Sequence, residues 1–369
     1  MRFVFFSYHY SPDIQSPEEW LDRINFYVGS LDYLSRTNSV IRIDQINYEG
    51  NFIHNGVQYF CIKPSKKKNY FPIKLNRFVK SLKPDVVIVG SFNAPFQIIQ
   101  LRLCLGKKVK VIIQNHAEKP FVRIKKQLQK MADKFINAYF FASRMTAVEW
   151  VDKGNISSLK KVHEIMEVSS AFNPIDKIIA RSKTKVSAGP VYLWAGRLNE
   201  NKDPLTVVNA FLKFAAIHPG VTLYMIYQTS ELLNEVKKRI AANKSSKDSI
   251  VLVGKVPHPE MLYWFNSADF LISGSHYEGS GTVVCEAMSC GCVPVVTDIP
   301  SFRTITADGN CGLLYEAGNE NELLSTLVQT MQMDILEKRE KALEYFKNQL
   351  SFKSIAEAVS RVCNELAFK

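Results

Sequence analysis

Short runs of apolar and β-branched residues recur along the chain, separated by stretches with helical spacing. Most of these runs are continuous rather than alternating, as expected for parallel strands that are covered on both faces. The runs that predict strands are 3–6, 40–43, 86–89, 109–113, 191–194, 222–226, 250–253, 270–272 and 293–296. Strands that alternate with helices in this way predict an α/β protein built on doubly wound sheets.

The first helix has a clear start signal. Ser16 and Glu19 form a capping box around Pro17, and apolar residues at helical spacing follow from Trp20 to Leu34. The preceding loop, 7–15, therefore lies at the carboxyl edge of the sheet, where doubly wound folds bind ligands. Residues that could line a ligand site there are Tyr8, His9, Gln15 and Ser16.

The chain has 369 residues, which is long for one hydrophobic core. The polar segment 181–190 ends in Gly-Pro before a new strand and marks a boundary. We therefore predict a first domain over 1–185, a second over 186–352 and a C-terminal helix over 353–369.

Positive charge is concentrated in the first half of the chain. Residues 1–190 contain 30 Lys and Arg against 15 Asp and Glu, whereas the remainder contains 17 against 20. Within this half, 121–135 combines an apolar stripe with Arg123, Lys125, Lys126 and Lys130, and 63–68 adds four lysines. This helix is either a solvated helix packed on the core or a patch for an anionic membrane surface.

Several classes of protein are disfavoured. No apolar run reaches the roughly 18–20 residues of a membrane helix, and the short apolar start predicts a strand rather than a signal peptide. Seven irregularly spaced cysteines indicate reduced thiols in the cytoplasm, with peripheral membrane binding left open. The basic half has no recognisable nucleic-acid-binding motif.

The segment 273–297 carries the clearest chemical signal. A predicted strand leads into Glu278, Gly279, Ser280 and Gly281, and a predicted helix, 282–289, contains Glu286. The glycines keep Glu278 in the loop, so both carboxylates can face one crevice. The free amides of Ser280, Gly281, Thr282 and Val283 at the helix start suit a diphosphate.

This segment resembles the signature of the retaining glycosyltransferases of family GT4, which have the two-domain GT-B fold. The segments 194–203, 251–260 and 308–314 are similar to further family motifs in the same order. The resemblance covers the second domain and is diffuse in the first. It implies two Rossmann-like domains facing a central cleft, with the last helix crossing back to the first domain.

The resemblance also implies roles for individual residues. Arg197 and Lys202 would hold the diphosphate of a UDP- or GDP-sugar, Glu286 the ribose, and Glu278 the donor sugar. His116 would face that sugar from the first domain. The remaining residues implied for donor binding, besides the loop and helix start at 279–283, are Gly196, Lys255 and Val256.

Two departures concern the cleft near the acceptor and the donor sugar, whose acceptor side would include Tyr8, His9, Gln15 and Ser16. Gln15 and Ser16 stand where the family has glycines, and Pro174 replaces a glycine between the domains. The family needs no metal or other cofactor, and the chain has no Asp-x-Asp motif. We therefore expect metal-independent transfer to a saccharide or lipid-linked acceptor in glycan biosynthesis. A nucleotide-sugar epimerase or hydrolase, and a non-catalytic nucleotide-binding subunit, remain alternatives.

Overall fold

The computed structural model describes residues 1–64, 70–186, 188–243 and 246–367. The chain forms two compact units. Unit 1 comprises Met1–Ser169 together with Ser351–Lys369, and unit 2 comprises Ser170–Leu350. Most of the basic run 63–68 lies outside the described residues.

Unit 1 is built on an eight-stranded sheet. Its order is β3-β4-β2-β1-β5-β6-β7-β8, and only the β3–β4 pair is antiparallel. All four strand predictions in this half are confirmed, whereas β3, β4, β7 and β8 were not predicted. The strands are β1 (Arg2–Ser11), β2 (Ser39–Ile46), β3 (Gly50–His54), β4 (Val57–Ile62), β5 (Val86–Gly90), β6 (Lys110–Gln114), β7 (Ala138–Phe141) and β8 (Val162–Glu164).

The predicted first helix is two helices that meet at Ile24. The backbone of Ile24 has φ −108° and ψ 17°, which ends the first helix and starts the second. The Ser16 hydroxyl accepts the Glu19 amide as predicted, but the Glu19 carboxylate accepts the amide of Gln15. The helices are α1 (Pro17–Arg23), α2 (Asn25–Ser35), α3 (Ile73–Ser81), α4 (Pro95–Leu105), α5 (Arg123–Asp133) and α6 (Arg144–Asp152).

Unit 2 is built on a six-stranded parallel sheet of order β11-β10-β9-β12-β13-β14. Its strands are β9 (Val191–Gly196), β10 (Thr222–Tyr227), β11 (Ile250–Gly254), β12 (Phe270–Ser273), β13 (Val293–Thr297) and β14 (Leu313–Tyr315). Its helices are α7 (Lys177–Thr184), α8 (Pro204–Ile217), α9 (Leu233–Ala242), α10 (Met261–Ser267), α11 (Thr282–Ser289), α12 (Pro300–Ile305), α13 (Glu320–Thr330) and α14 (Ile335–Tyr345). All five strand predictions and the predicted helix 282–289 are confirmed.

The chain enters unit 2 before α7, earlier than the predicted boundary at 185/186. Two cations on this helix, Lys177 and Arg181, form ion pairs with Asp269, which directly precedes β12. The helix also packs against α10. The ion pairs with Asp269 therefore attach α7 to unit 2. This helix includes the start of the polar segment 181–190, which was predicted to mark the boundary.

The last helix, α15 (Phe352–Ala367), belongs to unit 1 and packs against α2. Ile355, Val359 and Val362 form its buried stripe. The helices approach closely at Gly29, where an added Cβ would overlap the ring of Phe352. Helix α15 is therefore a structural part of unit 1, although unit 2 separates the two in sequence.

Two further observations concern the cysteines and the search for membrane-spanning helices. All seven cysteines are free thiols, and six of them are buried. In the described ranges, no helix combines the length and apolarity needed to cross a bilayer.

Candidate functional site

The predicted donor residues gather at one edge of the unit 2 sheet. Strand β9 lies between β10 and β12, so the strand order reverses beside it. Such a reversal opens a crevice at the carboxyl ends of the strands, where open α/β sheets bind ligands. Gly196 ends β9, Arg197 follows it directly, and Glu278 lies in the loop after β12.

Lys202 and Glu278 are in direct contact within this crevice. The ammonium of Lys202 forms an ion pair with the Glu278 carboxylate, and both side chains are largely buried. The local fold positions Lys202, because its amide donates to the Asn199 side chain at 3.1 Å in a short 3₁₀ turn. A cation and a carboxylate are thus held side by side at the switch point.

Backbone contacts hold the two loops that carry this pair together. The Asn201 side chain donates to the carbonyl of Tyr277 at 3.0 Å, and the His276 amide donates to the carbonyl of Asn201 at 2.8 Å. Gly274 allows this approach, because a Cβ there would lie 2.9 Å from the carbonyl oxygen of Asp203. The loops are therefore preorganised.

The start of α11 has the geometry that the glycines predicted. Gly281 precedes the helix with φ +63°, and a Cβ there would lie 2.9 Å from the Phe302 ring. The amide of Val284 is the first to bond back to Gly281. The amides of Thr282 and Val283 therefore point out of the helix end, where an anion is stabilised.

Glu286 does not share the Lys202–Glu278 contact. It lies on α11, is only 6% exposed, and its Oε1 is 2.6 Å from Nε2 of His258. The imidazole of His258 also stacks on the Phe172 ring, with centroids 5.1 Å apart. The two carboxylates that were predicted to face one crevice thus belong to two separate pairs. No local sequence pattern indicated His258 as the partner of Glu286.

The His258–Glu286 pair predicts a pH-dependent stability. The hydrogen bond to Glu286 raises the pKa of His258 above its ordinary 6.5. Because folding raises its pKa, His258 contributes stability that is fully present below about pH 6.5. This contribution is lost as the pH rises through the raised pKa. We expect the difference in thermal unfolding midpoint between wild type and His258→Gln to shrink across that interval.

The matched control is His276→Gln. His276 is as exposed as His258 and also contacts a carboxylate, that of Asp203. Scanning calorimetry from about pH 5.5 to about 8 spans the titration of histidine. A wild-type minus His258→Gln difference that stays constant over this range would contradict the prediction.

Arg197 has a different environment from the two pairs. Its side chain is exposed at the end of β9, and in the described part of the chain its guanidinium forms no hydrogen bond or ion pair. It acts electrostatically on Glu231, whose pKa is lowered mainly by a hydrogen bond from Thr229. The guanidinium is thus available to a ligand.

Two of the residues implied for donor binding, Lys255 and Val256, follow the edge strand β11. Lys255 is exposed and Val256 is buried. One strand, β10, separates β11 from β9. In the described residues there is no cluster of three or more His, Cys, Asp or Glu that could hold a metal ion.

In unit 1, His116 follows β6 and pairs with a residue that the sequence did not indicate. Its Nδ1 contacts the buried carboxylate of Glu167. Burial lowers the pKa of His116, whereas the Glu118 carboxylate acts in the opposite direction. Gly90 leaves space for the ring, because a Cβ there would lie 2.8 Å from Nε2 of His116.

The predicted acceptor residues divide into two groups. Tyr8 and His9 line a cavity of about 1150 Å³ in unit 1, together with His116. The Tyr8 hydroxyl donates to the Asn76 side chain at 2.9 Å. Gln15 and Ser16 do not line this cavity. The backbone amide of Gln15 and the hydroxyl of Ser16 form hydrogen bonds with Glu19 at the start of α1.

Known structures match the fold over almost the whole chain. A glycosyltransferase from Rickettsia africae has a TM-score of 0.74 at 16% identity, covering 99% of this chain and 98% of the other. The HepE protein of Anabaena in complex with UDP has a TM-score of 0.72 at 14% identity, covering 99% and 100%. The two Rossmann-like units define a GT-B fold.

Sequence comparison finds a family match within unit 2. Residues 176–349 match the family described as Glycosyl transferases group 1. The N-acetylgalactosamine-N,N'-diacetylbacillosaminyl-diphospho-undecaprenol 4-alpha-N-acetylgalactosaminyltransferase of Campylobacter jejuni is 23% identical over 75% of this chain and 77% of its own length. The chain spans little more than a third of several further curated relatives. The protein is a glycosyltransferase, and residues 176–349 of its unit 2 are similar to the glycosyl transferases group 1 family.

Proposed function

We propose that the protein is a GT4-type retaining glycosyltransferase that takes its sugar from a nucleoside diphosphate sugar bound in unit 2. The observation that carries this proposal is the contact between Lys202 and Glu278 at the switch point of the sheet, just before the exposed amides of α11. The complex of HepE with UDP supports a uridine nucleotide.

Each polar group at the crevice has a role in this proposal. Arg197, Lys202 and the amides at the start of α11 neutralise the diphosphate as it leaves, which is the electrostatic contribution that usually dominates such reactions. Glu286 accepts the ribose hydroxyls in place of His258, and Glu278 accepts hydroxyls of the donor sugar. Lys255 and Val256 border the base. These groups supply the charge compensation that a metal ion would otherwise give.

Retention follows from attack on the face that the leaving group occupies. The bond between the anomeric carbon and the phosphate oxygen breaks, and the acceptor oxygen forms the new bond on the same side. The acceptor's proton passes to the β-phosphate. The printed name of the Campylobacter jejuni relative describes a saccharide on diphospho-undecaprenol as acceptor, which supports a saccharide or lipid-linked acceptor here.

A donor panel tests the proposal. The purified protein is incubated with UDP-, GDP- and ADP-sugars, with and without oligosaccharide acceptors, in the presence and absence of EDTA. We expect an acceptor-dependent product that keeps the anomeric configuration of the donor, seen by proton NMR, at a rate that EDTA does not change. A new donor isomer would instead indicate an epimerase, acceptor-independent loss of sugar a hydrolase, and binding without turnover a non-catalytic subunit.

The exposed face of α5 supports binding to an anionic bilayer. Ile124 and Met131, two members of the apolar stripe of this helix, are 78% and 53% exposed, and neighbouring Val122 is 69% exposed. The basic residues around them are Arg123, Lys125, Lys126 and Lys130. Exposed apolar side chains among cations are typical of helices that lie in a membrane interface.

We expect binding to vesicles with anionic lipid that weakens steeply with salt, because each basic residue contributes about 1 kcal/mol through a screened field. Cosedimentation should show that the double variant Ile124→Ser, Met131→Ser binds about tenfold more weakly. The matched control is Ile178→Ser, which removes an equally exposed isoleucine in unit 2. Equal binding to neutral vesicles would contradict the proposal.

A further inference from the structure

The segments that follow β6 and β8 meet at one histidine in unit 1. His116 comes shortly after β6, and Glu167 comes shortly after β8, with β7 between the two strands in the sheet. Nδ1 of His116 contacts the Glu167 carboxylate. The Glu167 side chain is 9% exposed, whereas that of His116 is 37% exposed. The pair thus joins a buried carboxylate to an accessible imidazole.

A second carboxylate, that of Glu118, fixes the backbone at His116. Glu118 Oε2 accepts the His116 amide at 2.7 Å and the Asn115 side chain at 3.1 Å. Its Oε1 accepts the amide of Phe92, which follows β5, at 3.1 Å. The main chain of His116 is therefore held by Glu118, and the orientation of its ring is set by Glu167.

The other ring nitrogen, Nε2, is the one that a ligand can reach. It lies beside Gly90 at the end of β5, where an added Cβ would be 2.8 Å away. His116, Gly90 and Glu167 all line the cavity of unit 1. Among the described residues, Nε2 has no hydrogen-bond partner. A ligand in the cavity can therefore bond to this nitrogen.

The partner of Nδ1 determines where the neutral imidazole carries its proton. An ionised carboxylate only accepts hydrogen bonds, so Nδ1 donates to Glu167 and Nε2 keeps its lone pair. Burial lowers the pKa of His116, which favours the neutral ring; Glu118 opposes this shift and Arg42 adds to it. Arg42 is itself paired with Asp44 at 2.9 Å. The accessible nitrogen is thus a hydrogen-bond acceptor.

We propose that Glu167 is a positioning residue that holds the proton of His116 on Nδ1, so that Nε2 accepts a hydrogen bond from a substrate hydroxyl. The inference rests on the proposed sugar transfer and adds to it a residue outside the family motifs. Glu167 acts through the imidazole and does not itself touch the substrate. With the proton on Nε2 instead, the ring would donate, and a hydroxyl that donates its own hydrogen would lose its partner.

NMR of the imidazole nitrogens tests the tautomer directly. The full-length protein is labelled with isotope-enriched histidine, and proton–nitrogen correlations at about pH 8, where histidine is largely neutral, distinguish a protonated ring nitrogen from a bare one. The signals of His116 are those that disappear in His116→Gln. We expect a protonated Nδ1 and a bare Nε2 in the wild type. In Glu167→Met, which keeps the length of the side chain and removes the acceptor, the proton should move to Nε2.

Kinetics with the donor and acceptor selected by the panel give a second readout. Glu167→Met should lower kcat by about 5- to 150-fold, the cost of one unmade buried hydrogen bond, and should have no further effect in the His116→Gln background. The matched control is Asp133→Asn. Asp133 is also buried and accepts the Tyr139 hydroxyl at 2.8 Å, but it does not line the cavity. This variant should lose stability yet keep the wild-type tautomer and kcat.

The inference is overturned if wild-type His116 carries its proton on Nε2 or on both nitrogens, if Glu167→Met keeps the wild-type tautomer, or if the effects of Glu167→Met and His116→Gln on kcat are additive. The first of these is measured with Glu167 intact, so it decides the matter even if thermal unfolding shows that Glu167→Met is not folded. The expected tautomer without any acceptor-dependent product in the donor panel would instead contradict the proposed function.

Discussion

Replacing Arg197 by alanine is expected to lower kcat by about 100- to 1000-fold, the usual cost of deleting one donor that faces developing charge. The exposed guanidinium has no hydrogen-bond or ion-pair partner among the described residues, so its removal breaks no contact of the fold. We therefore expect the thermal unfolding midpoint to stay within the range of neutral surface substitutions. Steady-state kinetics with the donor selected by the panel measure the effect.

Two variants serve as controls for Arg197. Lys238→Ala removes a cation from an exposed i,i+3 ion pair with Glu235 on α9 and should leave kcat unchanged. Arg197→Lys keeps the charge but loses the planar fork, so it should recover only part of the rate. Near-normal turnover by Arg197→Ala would exclude the proposed contact with the diphosphate.

Glu278→Gln is expected to lower kcat/KM by about 10- to 150-fold, the range for a hydrogen bond to a charged group. The amide keeps the shape of the carboxylate but loses its charge, and with it the ion pair to Lys202. Glu320→Gln is the matched control, because Glu320 forms a comparable pair with Lys213 in the same unit at 2.6 Å. That variant should retain wild-type kinetics.

A double-mutant cycle separates catalysis from structure. The side chains of Lys202 and Glu278 are in contact. The effects of Lys202→Met and Glu278→Gln on kcat/KM should therefore be clearly non-additive. If the pair were only structural, the same coupling would appear in the free energy of unfolding and kcat would remain near normal. That result would reject both assigned roles.

The regular elements could be predicted because continuous β-branched runs and helix caps are local signals. The β3–β4 hairpin was missed although Asn55-Gly56, a strong hairpin signal, joins its strands. Both residues have positive φ, as that turn requires. The break at Ile24 could not be seen, since the apolar stripe continues through it.

The site was predictable only in part, for a related reason. The loop position of Glu278 and the start of α11 could be predicted from glycines a few residues away. The partners of Glu286 and His116 lie 28 and 51 positions away in sequence, and no local pattern announces such contacts. The ion pair between Arg42 and Asp44 is a contact that a local pattern could have announced. They are two positions apart on one strand and share a face, so strand alternation could have revealed them.

The position of α15 has a consequence for how the protein is made. Unit 2 is one continuous segment and is complete once Leu350 has left the ribosome. Unit 1 is started first but lacks α15 until all of unit 2 has been synthesised, so the Gly29 side of α2 stays uncovered while unit 2 is made. A message truncated just after the codons of unit 2 would therefore leave unit 2 complete and damage unit 1, most of which is encoded before it.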